Sequence, residues 1–294
     1  MKRKDSPRRS VLYVPGSNAK AMSKVAALAC DTVIFDLEDA VGPDEKAAAR
    51  ENLRDFFAAQ PALSCEVVVR VNAPSSEWGN EDLALAAALA PDAILLPKVD
   101  TPRDLLEVGD FLDDEGEENT ALWAMIETPR AVLNIGAIAE LGRDPASRLS
   151  CLVAGTNDLV KETGVLATPD RRYLQAWLMQ IVLAARAGGL DALDGVSNDF
   201  RDLDAFAREC AEGAAMGFDG KTLIHPAQIE PANAAFSPSP EALAAARAVV
   251  AAFALPENRG KGVLSIDGRM VERLHLAQAE RLIARAGRDK ETNA

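Results

Sequence analysis

Three carboxylates fall within four positions at Asp36, Glu38 and Asp39, on the end of TVIFD (32–36), which reads as a buried strand. Ionised carboxylates repel one another and are costly to desolvate, so a strand delivering this cluster inward needs a compensating cation. Charge recurs wherever an apolar run stops: Arg70 and Asn72 at EVVVRV, Lys98 after AILLP, Glu127 closing ALWAMIE, Asn157 and Asp158 after CLVAG, and His225 in KTLIHP. Glu127 and Asp158 end neighbouring runs, and adjacent strands lie about 4.8 Å apart, so the two side chains can converge on one ion. Two carboxylates without nearby Cys or His form an oxygen-only donor set suited to a hard cation. Mg²⁺ takes one or two carboxylates and keeps waters that a substrate displaces. Glu38 and Asp39 would accept hydrogen bonds from those waters. A cation there would make the acidic cluster tolerable.

Taken singly, each residue has an ordinary structural reading. The DLED stretch reads as a solvated loop in which Asp39 or Asp44 caps the next helix. Glu127 would bridge to Arg130 or Lys98, and Asp158 would be a turn or cap residue. Arg70 would snorkel to the surface, Lys98 would be a strand-end lysine, and His225 a hydrogen-bonded imidazole. Their concurrence at strand ends favours a site.

The elements that must position these residues alternate along the chain. Eight short apolar runs (11–15, 32–36, 66–71, 93–97, 121–127, 151–155, 191–196 and 221–226) read as parallel strands covered on both faces. Between them lie amphipathic stretches: Met22, Val25, Ala26 and Ala29 after Ser17–Asn18, a helix opened by Pro43 and carrying Leu53, Phe56 and Phe57, and another opened by Pro129. Eight such units predict an α/β fold, a (β/α)8 TIM barrel with catalytic residues at the strand ends. An open doubly wound sheet is the alternative, but the first strand lacks a glycine-rich fingerprint. The barrel is expected over 1–255, including a closing helix in PSPEALAAARAVVAAFA. The rest, 256–294, is expected as a C-terminal helical extension: an extended segment and a helix that pack on a neighbouring subunit.

Composition narrows the function classes. With 294 residues, 48% hydrophobic and 26% charged, the chain has the makeup of a globular enzyme, and a net charge of −13 argues against nucleic-acid binding. The basic stretch MKRKDSPRRS reads as a solvated tail; it resembles the start of an export signal, but the apolar run after it is too short. No membrane span is expected, and the reading is cytoplasmic. Four scattered cysteines suit reduced buried thiols, and two histidines leave little for a histidine-based metal site or triad.

The motifs RSVLYVPGSN, FDLEDAV, VRVNA, LPKV, MIETPRAVLN, AGTNDL, TLIHPAQI and GVLSIDGRMVE together resemble the citrate lyase β-subunit-like family of the HpcH/HpaI aldolase superfamily, including its malyl-CoA and citramalyl-CoA lyases. The resemblance implies Mg²⁺ on Glu127 and Asp158, with Glu38 and Asp39 holding its waters and Arg70 facing the reacting carbonyl. It implies carbon–carbon cleavage or formation of a 3-hydroxyacyl-CoA thioester such as malyl-, methylmalyl- or citramalyl-CoA, yielding an acyl-CoA and a 2-oxo acid. The family's CoA lyases take a proton-transferring carboxylate from a neighbouring subunit, in the pattern DGxM, aliphatic, Asp. Here that stretch reads DGRMVE, so the aligned residue is Glu272, with Asp267 a second candidate. A homotrimer or homohexamer is implied. Lys98, Asn157 and Lys20 join Arg70 and Glu127 as candidate substrate contacts, and Arg9 and Arg50 are further basic residues for CoA. Three alternatives stay open: a citrate lyase β subunit acting on a carrier-bound citryl thioester, a malyl-CoA thioesterase, and a non-catalytic thioester-binding homologue.

Overall fold

The computed structural model describes residues 7–266 and 268–291. They form two compact units, one spanning Arg8–Phe236 and the other comprising chiefly the chain from Ser237 onward. The first unit is a closed barrel of eight parallel strands in chain order: β1 (Ser10–Pro15), β2 (Thr32–Asp36), β3 (Glu66–Arg70), β4 (Ala93–Leu96), β5 (Ala121–Ile126), β6 (Leu149–Ala154), β7 (Asp191–Asp194) and β8 (Gly220–Leu223), with β8 returning to β1. All eight expected strands are present, and the closed barrel replaces the open-sheet alternative.

Side chains along each strand alternate between faces, so the apolar runs divide into two cores. One set, including Val11, Ile34, Val68, Leu95, Trp123 and Val153, fills the barrel. The other, including Leu12, Val33, Phe35, Val69, Ile94 and Leu152, packs beneath the helices. Those helices are α1 (Ala19–Met22), α2 (Lys46–Ala58), α3 (Gly79–Leu89), α4 (Pro102–Asp114), α5 (Pro129–Glu140), α6 (Thr156–Thr163), α7 (Gln175–Gly188), α8 (Leu203–Met216) and α9 (Ile229–Phe236). Where the spacing predicts one helix across 22–29, α1 stops at Met22 and a separate 3₁₀ turn covers Val25–Ala27. Ser23 Oγ donates to the Lys20 carbonyl, a local bond of the kind that competes with helix continuation.

Helix starts fix where the strand-end residues stand. Thr128 accepts from Ala131 N and Pro129 occupies the first turn of α5, so Glu127 has one residue between it and the helix. The passage from β6 to α6 is a single glycine, Gly155, which places Asp158 in the first turn of α6. Gly155 is needed for its size: a Cβ there would lie 2.3 Å from Glu127 Cβ and 2.7 Å from Glu127 Oε2.

The expected solvated tail is corrected at Arg8 and Arg9, which are buried at the N-terminal end of the barrel. Arg8 reaches Glu66 at 2.7 and 2.8 Å and Asp191 at 2.7 Å while lying over the Trp123 ring, and Arg9 holds Asp31 at 2.7 and 2.8 Å. Interior carboxylates at the start of the strands draw these arginines in.

The second unit holds α10 (Pro240–Ala254), the antiparallel pair β9 (Val263–Ile266) and β10 (Arg269–Glu272), and α11 (Arg273–Glu291). α10 packs with α11 within this unit. The extended segment is a hairpin: Gly268 adopts a left-handed φ of 76° that suits its turn. Among the described residues, no helix is long and apolar enough to cross a membrane.

Candidate active site at the C-terminal mouth of the barrel

Asp36 and Arg70 are paired across β2 and β3. Arg70 grips Asp36 with two parallel bonds, Nε to Oδ1 at 2.7 Å and Nη2 to Oδ2 at 2.6 Å. Asp36 also accepts from Glu38 N (2.9 Å) and Ala40 N (3.0 Å), which winds the acidic loop around it. Arg70 Nη1 lies 2.9 Å from Glu38 Oε2, and the guanidinium stacks 4.8 Å over the Tyr13 ring. Burial is the largest single influence and works against its charge, but Asp36, Tyr13 and Glu38 together outweigh it and hold the guanidinium pKa well above the ordinary value. From behind, Lys46 Nζ donates to the carbonyls of Leu37 (2.7 Å) and Glu38 (2.8 Å) and to Asn72 Oδ1 (2.9 Å). Protein cations therefore carry much of the compensation that the acidic stretch calls for. The capping reading is corrected too: Asp36 takes the N–H groups of Glu38 and Ala40, Glu38 takes that of Asp39, and the Pro43–Glu45 turn has no side-chain cap.

Glu127 is 1% exposed. Among the described residues its one hydrogen bond comes from the backbone N–H of Lys98, to Oε1 at 2.7 Å. Burial, then the charge of Glu38 and more weakly that of Asp158, push its carboxyl up to about 7, against the pull of Lys98. Burial also raises Glu38, with Arg70 opposing. Lys98 donates that N–H from a left-handed backbone, φ 51°, and its Nζ sits 3.3 Å from Glu38 Oε1. Asp158 has a loose partner, Lys161, at 3.9 Å.

Glu127, Asp158, Asp39, Asp36 and Arg70 line one cavity of about 270 Å³ with Tyr13, Met125, Asn157, Asn198, Thr222 and Ile224. The sequence reading brought Glu127 and Asp158 to one rim, and both open on this cavity. It missed Tyr13, Met125, Thr222 and Ile224, which lie inside apolar runs and carry no polar signal at a strand end. It also missed Lys46, whose ammonium is read only once its carbonyl partners are placed.

A hard cation fits what is present. The cavity has oxygen donors and no His or Cys lining it, and Glu127 is a buried carboxyl destabilised as an anion by its neighbours. Among the described residues no group of three or more His, Cys, Asp and Glu is arranged to hold a metal. Glu127 and Asp158 are the two lining carboxylates that would hold a cation, with room in the cavity for other oxygens.

The remaining candidates are placed as follows. Asn157 and Asn198 exchange amide hydrogen bonds of 2.9 and 3.3 Å at the cavity edge. Asn72 lies behind the loop, bonded to Asp82 and the Leu37 carbonyl. Lys20 is exposed on α1. Arg9 is committed to Asp31 at the far end of the barrel, and Arg50 is buried against Asp82 (2.6 Å) and Glu81, so neither offers a free cation at the mouth. His225 takes the structural reading: Nδ1 accepts from Ala227 N at 3.1 Å and the ring stacks on Phe200. In the second unit Glu272 is half-buried at the end of β10, its N–H donating to His275 Nδ1 at 2.9 Å. Asp267 lies outside the described residues.

A (β/α)8 barrel with an acidic, oxygen-lined mouth defines a class of fold and site. Residues 9–226 match the family described as HpcH/HpaI aldolase/citrate lyase, and the chain belongs to it. It is 48% identical over 280 residues to a (3S)-malyl-CoA thioesterase of Cereibacter sphaeroides, covering 95% of each chain. It is 35% identical to the mitochondrial citramalyl-CoA lyase of Rattus norvegicus, covering 97% of this chain and 88% of the relative. Among solved structures, the protein CitE from Mycobacterium tuberculosis in complex with magnesium, acetoacetate and coenzyme A matches with a TM-score of 0.79 and 32% identity, covering 97% of this chain and 99% of that one.

Proposed function

We propose that this protein is a Mg²⁺-dependent enzyme of 3-hydroxyacyl-CoA thioesters, cleaving or forming the bond between an acyl-CoA and a 2-oxo acid. The observation that carries the reading is the buried, cavity-facing Glu127 with Asp158 on the same cavity, two carboxylates that no lysine or arginine among the described residues meets at hydrogen-bond distance. Glu127 and Asp158 would hold the ion. Bound there, Mg²⁺ supplies Lewis acidity toward the carboxylate and adjacent oxygen of a 2-oxo acid.

The chain's own residues supply the rest. Arg70 lines the cavity with its guanidinium fixed by Asp36 and Tyr13, a pre-set positive charge for the thioester oxygen as it becomes an enolate. Asp39 faces the cavity and Glu38 stands behind it, as acceptors for water. Asn157 and Lys98 are polar groups at the edge for the substrate's carboxylate or thioester, and Lys20 is exposed for CoA. A proton must reach or leave the acyl carbon; Glu272 is the carboxylate assigned to it, offered to a neighbouring subunit of a homo-oligomer, with Asp267 the alternate.

Incubating purified protein and Mg²⁺ with a panel of malyl-, methylmalyl- and citramalyl-CoA tests the reading. Release of a 2-oxo acid that stops with EDTA is expected; no turnover of any member of the panel would refute it. A second reading, thioester hydrolysis, is favoured by the identity to the malyl-CoA thioesterase. It predicts free CoA thiol with the hydroxy acid intact, so the two products separate the readings.

A further inference from the structure

Lys98 joins two features that each need a reason. Its φ of 51° is in the left-handed region, where a side chain is disfavoured and glycine is at no disadvantage. That backbone is what aims the N–H at Glu127 Oε1, 2.7 Å away, and a glycine would do the same. The side chain is partly open to solvent, with Nζ 3.3 Å from Glu38 Oε1. Arg70, the other cation of the mouth, is immobilised on Asp36 and Glu38. Lys98 has a flexible four-carbon stem and faces Glu38, where Lys46 is held from behind by backbone carbonyls and Lys161 reaches Asp158, at 3.9 Å. The combined pull of Glu127, Glu38, Asp158 and Asp39 overcomes partial burial to raise the Lys98 pKa.

We propose that Lys98 is a stand-in cation: its ammonium neutralises the mouth carboxylates when no divalent cation is bound and moves out toward solvent as one enters. The inference rests on the reading of Glu127 and Asp158 as Mg²⁺ ligands, and it gives one residue two separable tasks. The backbone N–H orients Glu127, and the ammonium competes with the metal for the same negative field. Lys98 is a positioning residue in this account, and the ammonium sets how tightly the metal is held.

The test is calorimetric titration of Mg²⁺ into EDTA-stripped protein, with thermal melts at zero and saturating Mg²⁺. The variants are Lys98→Met, Lys98→Gly, Lys98→Arg and Glu127→Gln. Lys98→Met and Lys98→Gly should bind Mg²⁺ about tenfold more tightly than wild type, because a like charge has left the field. Lys98→Arg, which keeps the charge, should stay within about twofold. Lys98→Met should melt below wild type without Mg²⁺ and close that gap when saturated, while Lys98→Gly melts above Lys98→Met throughout because its backbone is unstrained. Unchanged or weaker Mg²⁺ binding by Lys98→Met, with wild type binding and Glu127→Gln failing to bind, overturns the stand-in role alone. A wild type that does not bind Mg²⁺, or a Glu127→Gln variant that binds equally well, overturns the metal reading and this inference with it.

Discussion

At the N-terminal end of the barrel, Arg8 lies over Trp123 with Glu66 and Asp191 both within 2.8 Å, and Arg9 holds Asp31 as closely. At the C-terminal end, Arg70 and Lys98 face five carboxylates, Asp36, Glu38, Asp39, Glu127 and Asp158. Both ends bury charge, but at the first Glu66, Asp191 and Asp31 each have a guanidinium at hydrogen-bond distance, whereas at the second Glu127 has none. Among the described residues Glu127 has a backbone N–H alone, and burial, reinforced by the charge of Glu38, raises its pKa. The matched end serves stability; the unmatched end stores a demand for positive charge that a ligand can meet. This follows the division of labour between the two faces of such barrels.

The comparison breaks most visibly at the mouth. Glu127→Ala and Asp158→Ala should each lower Mg²⁺-dependent turnover by about a thousandfold or more while circular dichroism stays native, since the Lewis acid is worth several kcal/mol to the transition state. Retained turnover in either variant would remove that residue from the site.

At the other end the effect should move to stability. Arg8→Met leaves Glu66 buried without its partner and should cost about 3–5 kcal/mol in urea unfolding, with turnover of the folded protein near wild type. A comparable loss of turnover per folded molecule would show that the two ends are not separate.

The Glu127 carboxyl sharpens the contrast through pH. Its pKa in the folded protein, about 7, lies above the ordinary 4.5, so the folded state holds the proton more tightly than the unfolded chain. Its stabilising effect is greatest below pH about 4.5 and is lost as pH rises through about 7. Without metal, stability should fall by up to about 3 kcal/mol over that range. The difference between wild type and Glu127→Gln in denaturant titrations isolates the effect, and a difference independent of pH would contradict it.

Gly155→Ala should give the smallest change, because a Cβ meets the Glu127 side chain and can be accommodated only by shifting it. Destabilisation of about 1–3 kcal/mol, with weaker Mg²⁺ binding, is expected. Unaltered metal affinity would mean that the orientation of Glu127 is not set by the β6–α6 turn.

What the sequence alone determined is the periodic part. Eight apolar runs separated by amphipathic stretches specify parallel strands alternating with helices, because such strands must be covered on both faces and helices must bury one; their number favours a barrel, and the β8–β1 pairing closes it. The ends of neighbouring apolar runs put Glu127 and Asp158 on the same rim. What only the tertiary structure decided is who neutralises whom. Arg8 and Arg9 look like a tail until Glu66 and Asp31 are folded beside them. Asp36 looks like part of a metal-dependent cluster until Arg70, 34 positions away, closes on it. Tyr13 and Met125 look like core until the barrel turns them into a cavity wall. Charge balance is a sum over neighbours distant in the chain, so local spacing marks where charges stand, and folding determines which of them remain uncompensated.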